Sequence, residues 1–208
     1  MKTERRIVSL EGAEVRVSGD GRYLEGVGIV FGTRSEPLGG FVEVIDPEVT
    51  IDTPGDLVAT FNHDTGALLG RASSGTLQTS RDAEGYRYRV EIPDTTAGRD
   101  LRELVKRRDV RGSSFTFDVP DGGDTWERKA GGIALRTVKA LNLHEIGPVV
   151  FPAYPETSVA IRALKRFEPA ADERPRLALR RREQRLAELI GIESPRGRGR
   201  NGGHGSAD

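Results

Sequence analysis

"YRYRVEI", residues 86–92, alternates aromatic or apolar residues with charged ones. Successive side chains of a β-strand point to opposite faces of a sheet, so this stretch predicts a strand with one buried and one solvated face. Similar short stretches recur from Ile7 to Ile92, separated by turn signals rich in Gly and Asp at residues 18–21 and 82–85. We therefore expect the first half of the chain to form an antiparallel sheet.

One helix is predicted within residues 94–110, "DTTAGRDLRELVKRRDV". Leu101, Leu104 and Val105 recur at helical spacing, and Thr95 or Thr96 can cap the first turn. Strand patterns return after this helix. The order predicts a mainly β protein of the α+β class, built as a closed or tightly curled antiparallel barrel with a helix packed against it.

The composition excludes several classes of protein. The chain has 208 residues with 32 basic and 32 acidic side chains, and it contains no Cys, which rules out disulfides, zinc–thiolate sites and thiol nucleophiles. The three histidines, at positions 63, 144 and 204, have none of the familiar metal-ligand spacings, so we expect no metal and no cofactor. No apolar run approaches the length of a membrane span, and we expect a soluble protein.

The character of the sequence changes near residue 162. Residues 161–208 carry 12 basic and 7 acidic side chains, which leaves 20 and 25 for residues 1–160. We predict a folded domain over residues 1–161 and a tail over residues 162–208. The tail should begin with a basic amphipathic helix at about residues 172–190 and end in a disordered, Gly-rich segment.

His63 is the first candidate site residue, in the stretch "FNHD" at residues 61–64. An imidazole can take and return a proton near neutral pH, which makes His63 a candidate general base. The alternative is a histidine that ends a strand, with Asn62 and Asp64 making a turn.

Ser114 is the candidate nucleophile, in "GSSFTFDV" at residues 112–119. In a strand, Ser114 points away from the face of Phe115 and Phe117, whereas Ser113 shares that face. A serine hydroxyl becomes a good nucleophile when a base removes its proton, so this role requires His63 nearby. The alternative is that two small residues begin a strand after Gly112.

Glu145 and His144 are candidates for the group that orients His63. They lie in a strand-like run, where we expect them on opposite faces. An acid that accepts the far N–H of the imidazole would hold the required tautomer, which favours Glu145, with His144 as the alternative. Both residues could equally face solvent.

Three stretches, taken in order, resemble the prohead protease family of tailed bacteriophages. They are "FNHD" with the residues that follow it, "GSSFTFDV", and "LHEIGPVVFPAYPETSVAI" at residues 143–161. The members are capsid-maturation serine peptidases related in fold to the herpesvirus assemblins, so the resemblance implies a barrel of the herpesvirus-protease type. It covers roughly residues 20–162.

The resemblance assigns roles to individual residues. It places His63 on the family's catalytic histidine, Ser114 on the nucleophile and Glu145 on the acidic third member. The assemblins use a second histidine in the third role, which keeps His144 as an alternative. Thr116 departs from the family pattern, which usually has glycine there, and Gly147 stands where serine is usual.

The resemblance also implies a function and partners. It implies a serine endopeptidase that cleaves the major capsid protein, the scaffold segment and itself, in self-associated form inside the assembling prohead in the host cytoplasm. The tail would tether the enzyme to the scaffold and be removed by self-cleavage. The alternative function is a non-enzymatic capsid assembly or scaffolding protein with the same fold. No membrane partner is expected, and the acidic body argues against nucleic acid.

Overall fold

The computed structural model describes residues 3–7, 14–128 and 132–150. Eleven strands and one helix lie within these residues. They are β1 (Glu4–Ile7), β2 (Arg16–Val17), β3 (Tyr23–Val30), β4 (Phe41–Asp52), β5 (Val58–Phe61), β6 (Asp64–Arg71), β7 (Leu77–Arg81), β8 (Gly85–Glu91), α1 (Thr96–Lys106), β9 (Gly112–Asp118), β10 (Asp124–Glu127) and β11 (Ala134–Val149).

A seven-stranded sheet is organised around the long strand β11. One side of β11 pairs in parallel with β4 and then with β5, and its other side pairs antiparallel with β10 and then with β9. The hydrogen-bonded path runs β1-β9-β11-β5-β6. Strand β11 therefore holds together segments that lie far apart in the sequence.

A second sheet has four strands in the order β2-β3-β8-β7. Its strand β8 contains the predicted strand of residues 86–92 up to Glu91, and the prediction of alternating faces is confirmed. Tyr88 and Val90 are buried, whereas Arg89 and Glu91 are exposed. Side chains from both sheets meet in one hydrophobic core cluster, which includes Leu24 and Tyr88 from this sheet.

The prediction of a closed or curled antiparallel barrel of the herpesvirus-protease type is wrong. Across the described ranges no sheet closes, since β1 and β6 lie at opposite ends of the hydrogen-bonded path. The sheet is also mixed, because β4 and β5 run parallel to β11. A pattern of alternating residues specifies a strand but not the direction of its partner, which depends on contacts distant in sequence.

The helix α1 forms where the sequence predicts it. The Thr95 side chain accepts a hydrogen bond from the Gly98 N–H at 3.1 Å, which caps the first turn. Leu101 and Val105 are buried in the core cluster. No helix within the described residues is long and apolar enough to cross a membrane. The predicted tail of residues 162–208, with its helix, and the predicted boundary near residue 162 lie outside the described residues.

Candidate active site

His63 lies at the tip of the hairpin formed by β5 and β6. Phe61 pairs with Asp64, so Asn62 and His63 form a two-residue loop between the strands. Both have positive φ angles, 55° and 62°, as a tight type I′ hairpin turn requires. Glycine or asparagine usually occupies such positions. A histidine held in this left-handed conformation has a strained backbone, and strain of this kind is often found at functional sites.

Asn62 fixes this hairpin tip against the end of β11. Its N–H donates to the Pro148 carbonyl oxygen at 3.1 Å, and its side-chain oxygen accepts from the Val150 N–H at 2.9 Å. The imidazole is therefore carried on a loop that is bonded through its backbone to the central strand of the sheet.

Gly147 allows β5 to approach β11 closely. A Cβ added at this position would lie 2.2 Å from the Thr60 carbonyl oxygen, far inside van der Waals contact. Because that obstacle is backbone, a larger residue would push the two strands apart and displace the hairpin that carries His63. The glycine at this position thus has a direct structural reason.

Ser114 lies on β9, on the face that the sequence predicts. Phe115 and Phe117 are buried in the core, and the Ser113 hydroxyl on their side is hydrogen-bonded to the Tyr88 hydroxyl at 3.1 Å. Ser114 points the other way, and its Oγ lies 2.7 Å from His63 Nε2. The residue is fully buried.

A β-bulge at His144 determines which way Glu145 points. Leu143 pairs with Phe117 and Glu145 with Thr116, so two steps along β11 match one step along β9. Without the extra residue, Glu145 would share the core face of Leu143; with it, Glu145 joins the face of Ser114.

The Glu145 carboxylate contacts His63. Its Oε2 lies 2.7 Å from His63 Nδ1, and both side chains are 13% exposed. Burial alone would raise the pKa of Glu145, but hydrogen bonds from His63 and Thr60, with the attraction of His63 and a bond from Thr116, hold this pKa below its usual value. The carboxylate is therefore ionised at neutral pH and requires a hydrogen on Nδ1.

Two threonines that the sequence analysis did not assign to the site hold this carboxylate in place. Thr60 on β5 donates a hydrogen bond to Glu145 Oε1, and Thr116 on β9 donates to Oε2 at 2.9 Å. The Thr116 hydroxyl also lies 3.4 Å from His63 Nδ1. Thr116 shares the face of Ser114 two residues along β9, and this spacing is a signal in the sequence that could have identified it.

His144, the alternative to Glu145, contacts a different residue. Its Nε2 is hydrogen-bonded to Oδ1 of Asp118. The other carboxylate oxygen of Asp118 accepts a hydrogen bond from the Asn142 side chain at 2.8 Å. Because of the bulge, His144 and Glu145 both reach residues of the same face of β9, so the prediction of opposite faces is wrong. The structure brings His63, Ser114 and Glu145 into one hydrogen-bonded chain and leaves His144 outside it.

This chain of contacts can activate an alcohol. With Nδ1 protonated toward Glu145, the neutral imidazole presents a bare Nε2 to the Ser114 hydroxyl. An imidazole so placed can accept the hydroxyl proton, and the carboxylate stabilises the imidazolium that results.

The Glu145 carboxylate should make the stability of the folded protein depend on pH in the acidic range. Its pKa is below the usual 4.5 in the folded protein, so its contribution is fully present above the unfolded pKa and is lost as pH falls through the folded value. In urea unfolding from about pH 6 to about pH 3, wild type should therefore lose more free energy of unfolding than Glu145→Gln. Equal losses in the two proteins would contradict this assignment, since all other carboxylates are common to both.

The sequence matches a known protein family over most of its length. A family model described as Caudovirus prohead serine protease matches residues 10–172, a range that includes His63, Ser114 and Glu145 but not β1. Neither a search of curated proteins nor a search of solved structures found a match.

Proposed function

Since the chain belongs to the caudovirus prohead serine protease family, we propose that it is a serine endopeptidase in which Ser114 is the nucleophile, His63 the general base and Glu145 the orienting acid. The observation that carries this proposal is the pair of 2.7 Å contacts that join His63 to Ser114 on one side and to Glu145 on the other. A nucleophile, a base within hydrogen-bonding reach and a third group that orients the base are the parts this chemistry needs.

The first half of the reaction forms an acyl-enzyme. Ser114 Oγ attacks the carbonyl carbon of the scissile peptide while its proton passes to His63 Nε2. The C–N bond of the tetrahedral intermediate then breaks, and the imidazolium gives its proton to the departing amine. Glu145 stabilises the imidazolium between these two transfers.

Water completes the reaction by the same route. His63 removes a proton from a water molecule as the water oxygen attacks the acyl carbon. The bond to Ser114 Oγ breaks, the proton returns to that oxygen, and a carboxylic acid product leaves and releases its proton to solvent. The enzyme is regenerated with its original protonation.

Prohead proteases act on capsid proteins within the assembling prohead. We infer that the substrates here are the major capsid protein, its scaffold segment and the enzyme itself.

Co-expression with the proposed substrate, the major capsid protein, tests the function. Wild type should shorten the capsid chain, and His63→Ala should leave it at full length, because a bare alcohol without its base reacts orders of magnitude more slowly. Gel mobility and intact mass of the capsid chain give the readout, and immunoblots confirm equal amounts of both enzymes.

Two results would contradict the proposal. Shortened capsid chains with His63→Ala would mean that cleavage does not depend on this base. If the capsid protein stays at full length when it is co-expressed with the wild-type enzyme, but particles still assemble, the alternative function is favoured, a non-enzymatic assembly protein.

A further inference from the structure

The N-terminal strand β1 contacts the proposed nucleophile through its backbone. It runs antiparallel along the edge of β9, with Ile7 opposite Ser114. The Ser114 hydroxyl lies 2.8 Å from the Arg6 carbonyl oxygen and can donate to it. A backbone carbonyl of an extended segment thus touches the proposed nucleophile, and this segment precedes the residues 10–172 that match the family.

The hydrogen atoms available at Ser114 show that β1 competes with the base. The Glu145 carboxylate accepts a hydrogen bond from His63 Nδ1, so Nε2 is the nitrogen that has to receive the Ser114 hydroxyl hydrogen. The Arg6 carbonyl needs the same hydrogen. One hydroxyl hydrogen cannot serve two acceptors at full strength, so the strand as docked opposes transfer of the proton to His63.

Two alternate side chains of β1, those of Glu4 and Arg6, are paired with buried side chains of opposite charge. Arg6 makes two hydrogen bonds to the Glu43 carboxylate, at 2.8 and 2.9 Å, and Glu4 accepts two from Arg136, at 2.8 and 3.0 Å. All four side chains are at most 6% exposed. The Arg6 guanidinium also lies 5.3 Å from the centre of the Phe117 ring. Paired forks of this kind select both the sign of a charge and its position along an extended strand.

Glu43 and Arg136, the two residues that bind the side chains of β1, also bind each other, so they would stay paired without β1. Arg136 bonds Glu43 at 2.9 Å and Asp124 at 2.6 Å, independently of β1. The edge of β9 can therefore exchange one strand for another without leaving a buried arginine unpaired, whose cost would be severe.

We propose that this edge of β9 is the peptide-binding edge of the enzyme and that β1 occupies it as an internal competitive inhibitor. Substrates add as an extended strand in its place. They carry a basic side chain, held by Glu43, on the residue whose carbonyl Ser114 attacks, and an acidic side chain, held by Arg136, two residues before it. This inference rests on the proposed function.

Charge reversal at Arg6 in the full chain tests the inhibition. Arg6→Glu places an anion against Glu43 and should undock β1. Removal of an internal competitor should lower KM for a cleavable capsid peptide by about tenfold and leave kcat unchanged, a split that a loss of structural support would not give. Arg16→Glu is the matched control, because Arg16 is 76% exposed and its ion pair with Glu25 lies in the other sheet.

A change in kcat without the fall in KM, in a protein with an unchanged melting temperature, would overturn the inhibition. If Arg6→Glu does not fold, Arg6→Gln removes the cation without reversing its charge. The same fall in KM, smaller in size, is then expected, and an unchanged KM would overturn the inference.

Binding of a labelled peptide tests recognition without catalysis. The peptide TERRIV, residues 3–8, should bind Arg6→Glu, and a peptide with Glu4→Lys and Arg6→Glu should bind at least about tenfold more weakly, as both forks would meet like charges. Fluorescence anisotropy gives both affinities. Equal binding, or none, alongside Ser114-dependent hydrolysis would overturn the peptide-binding edge and leave the proposed function intact. Selective binding without any hydrolysis would support the peptide-binding edge and contradict the proposed function.

Discussion

Ser114→Ala is expected to lower the rate of peptide hydrolysis by about 10⁴- to 10⁶-fold in a protein that stays folded. The reason is that the methyl group cannot attack a carbonyl, and the remaining groups of the site can only bind and polarise the substrate. Steady-state hydrolysis of a capsid-derived peptide measures the loss, and circular dichroism measures the melting temperature.

Ser113→Ala is the matched control for this change. It removes a hydroxyl one residue away on the same strand, but that hydroxyl faces the core and bonds Tyr88. We expect a loss of stability from the unpaired Tyr88 hydroxyl, about 1–3 kcal/mol, and a rate within a few-fold of wild type. Equal losses of rate in the two variants would show that the chemistry does not depend on Ser114 specifically.

Glu145→Gln carries the second large effect, a fall in kcat of about 10³- to 10⁴-fold. Glutamine has nearly the same shape, but it is neutral and can present an amide N–H to His63 Nδ1. The imidazole then loses its stabilising charge and can adopt the tautomer that is protonated on Nε2, which cannot accept the Ser114 proton.

His144→Gln is the matched control for Glu145. The change is made one residue away, on the histidine that bonds Asp118 rather than His63. We expect kcat within a few-fold of wild type. A large loss in His144→Gln with a small one in Glu145→Gln would assign the third role to the histidine.

Local features of the fold were predictable from the sequence because they depend on neighbouring residues. The alternation in residues 86–92 predicted a two-faced strand, and Thr95 with Leu101 and Val105 predicted a capped amphipathic helix. The same rule of alternation predicted that the Ser114 side chain points to the face opposite Phe115. The combination of His63, Ser114 and Glu145 came from the resemblance rather than from spacing, and their catalytic roles stay a proposal.

The remaining features depend on contacts between distant segments, which no local pattern encodes. The sequence predicted an antiparallel barrel, but β4 and β5 run parallel to β11 and the sheet is open and mixed. A one-residue bulge at His144 reversed the faces expected from strict alternation. Thr60 and Thr116 are neighbours of Glu145 only because β5 and β9 flank β11. The contact of β1 with Ser114 likewise depends on a pairing between segments far apart in the sequence.

The most direct measurement of the central claim is covalent labelling with a peptidyl phosphonate that reacts with activated serines, followed by peptide mass mapping. The chain of contacts from Glu145 through His63 predicts one adduct, on Ser114, that disappears in His63→Ala and forms more slowly in Glu145→Gln. Labelling of Ser113 instead, or labelling of Ser114 at the same rate without His63, would contradict the account.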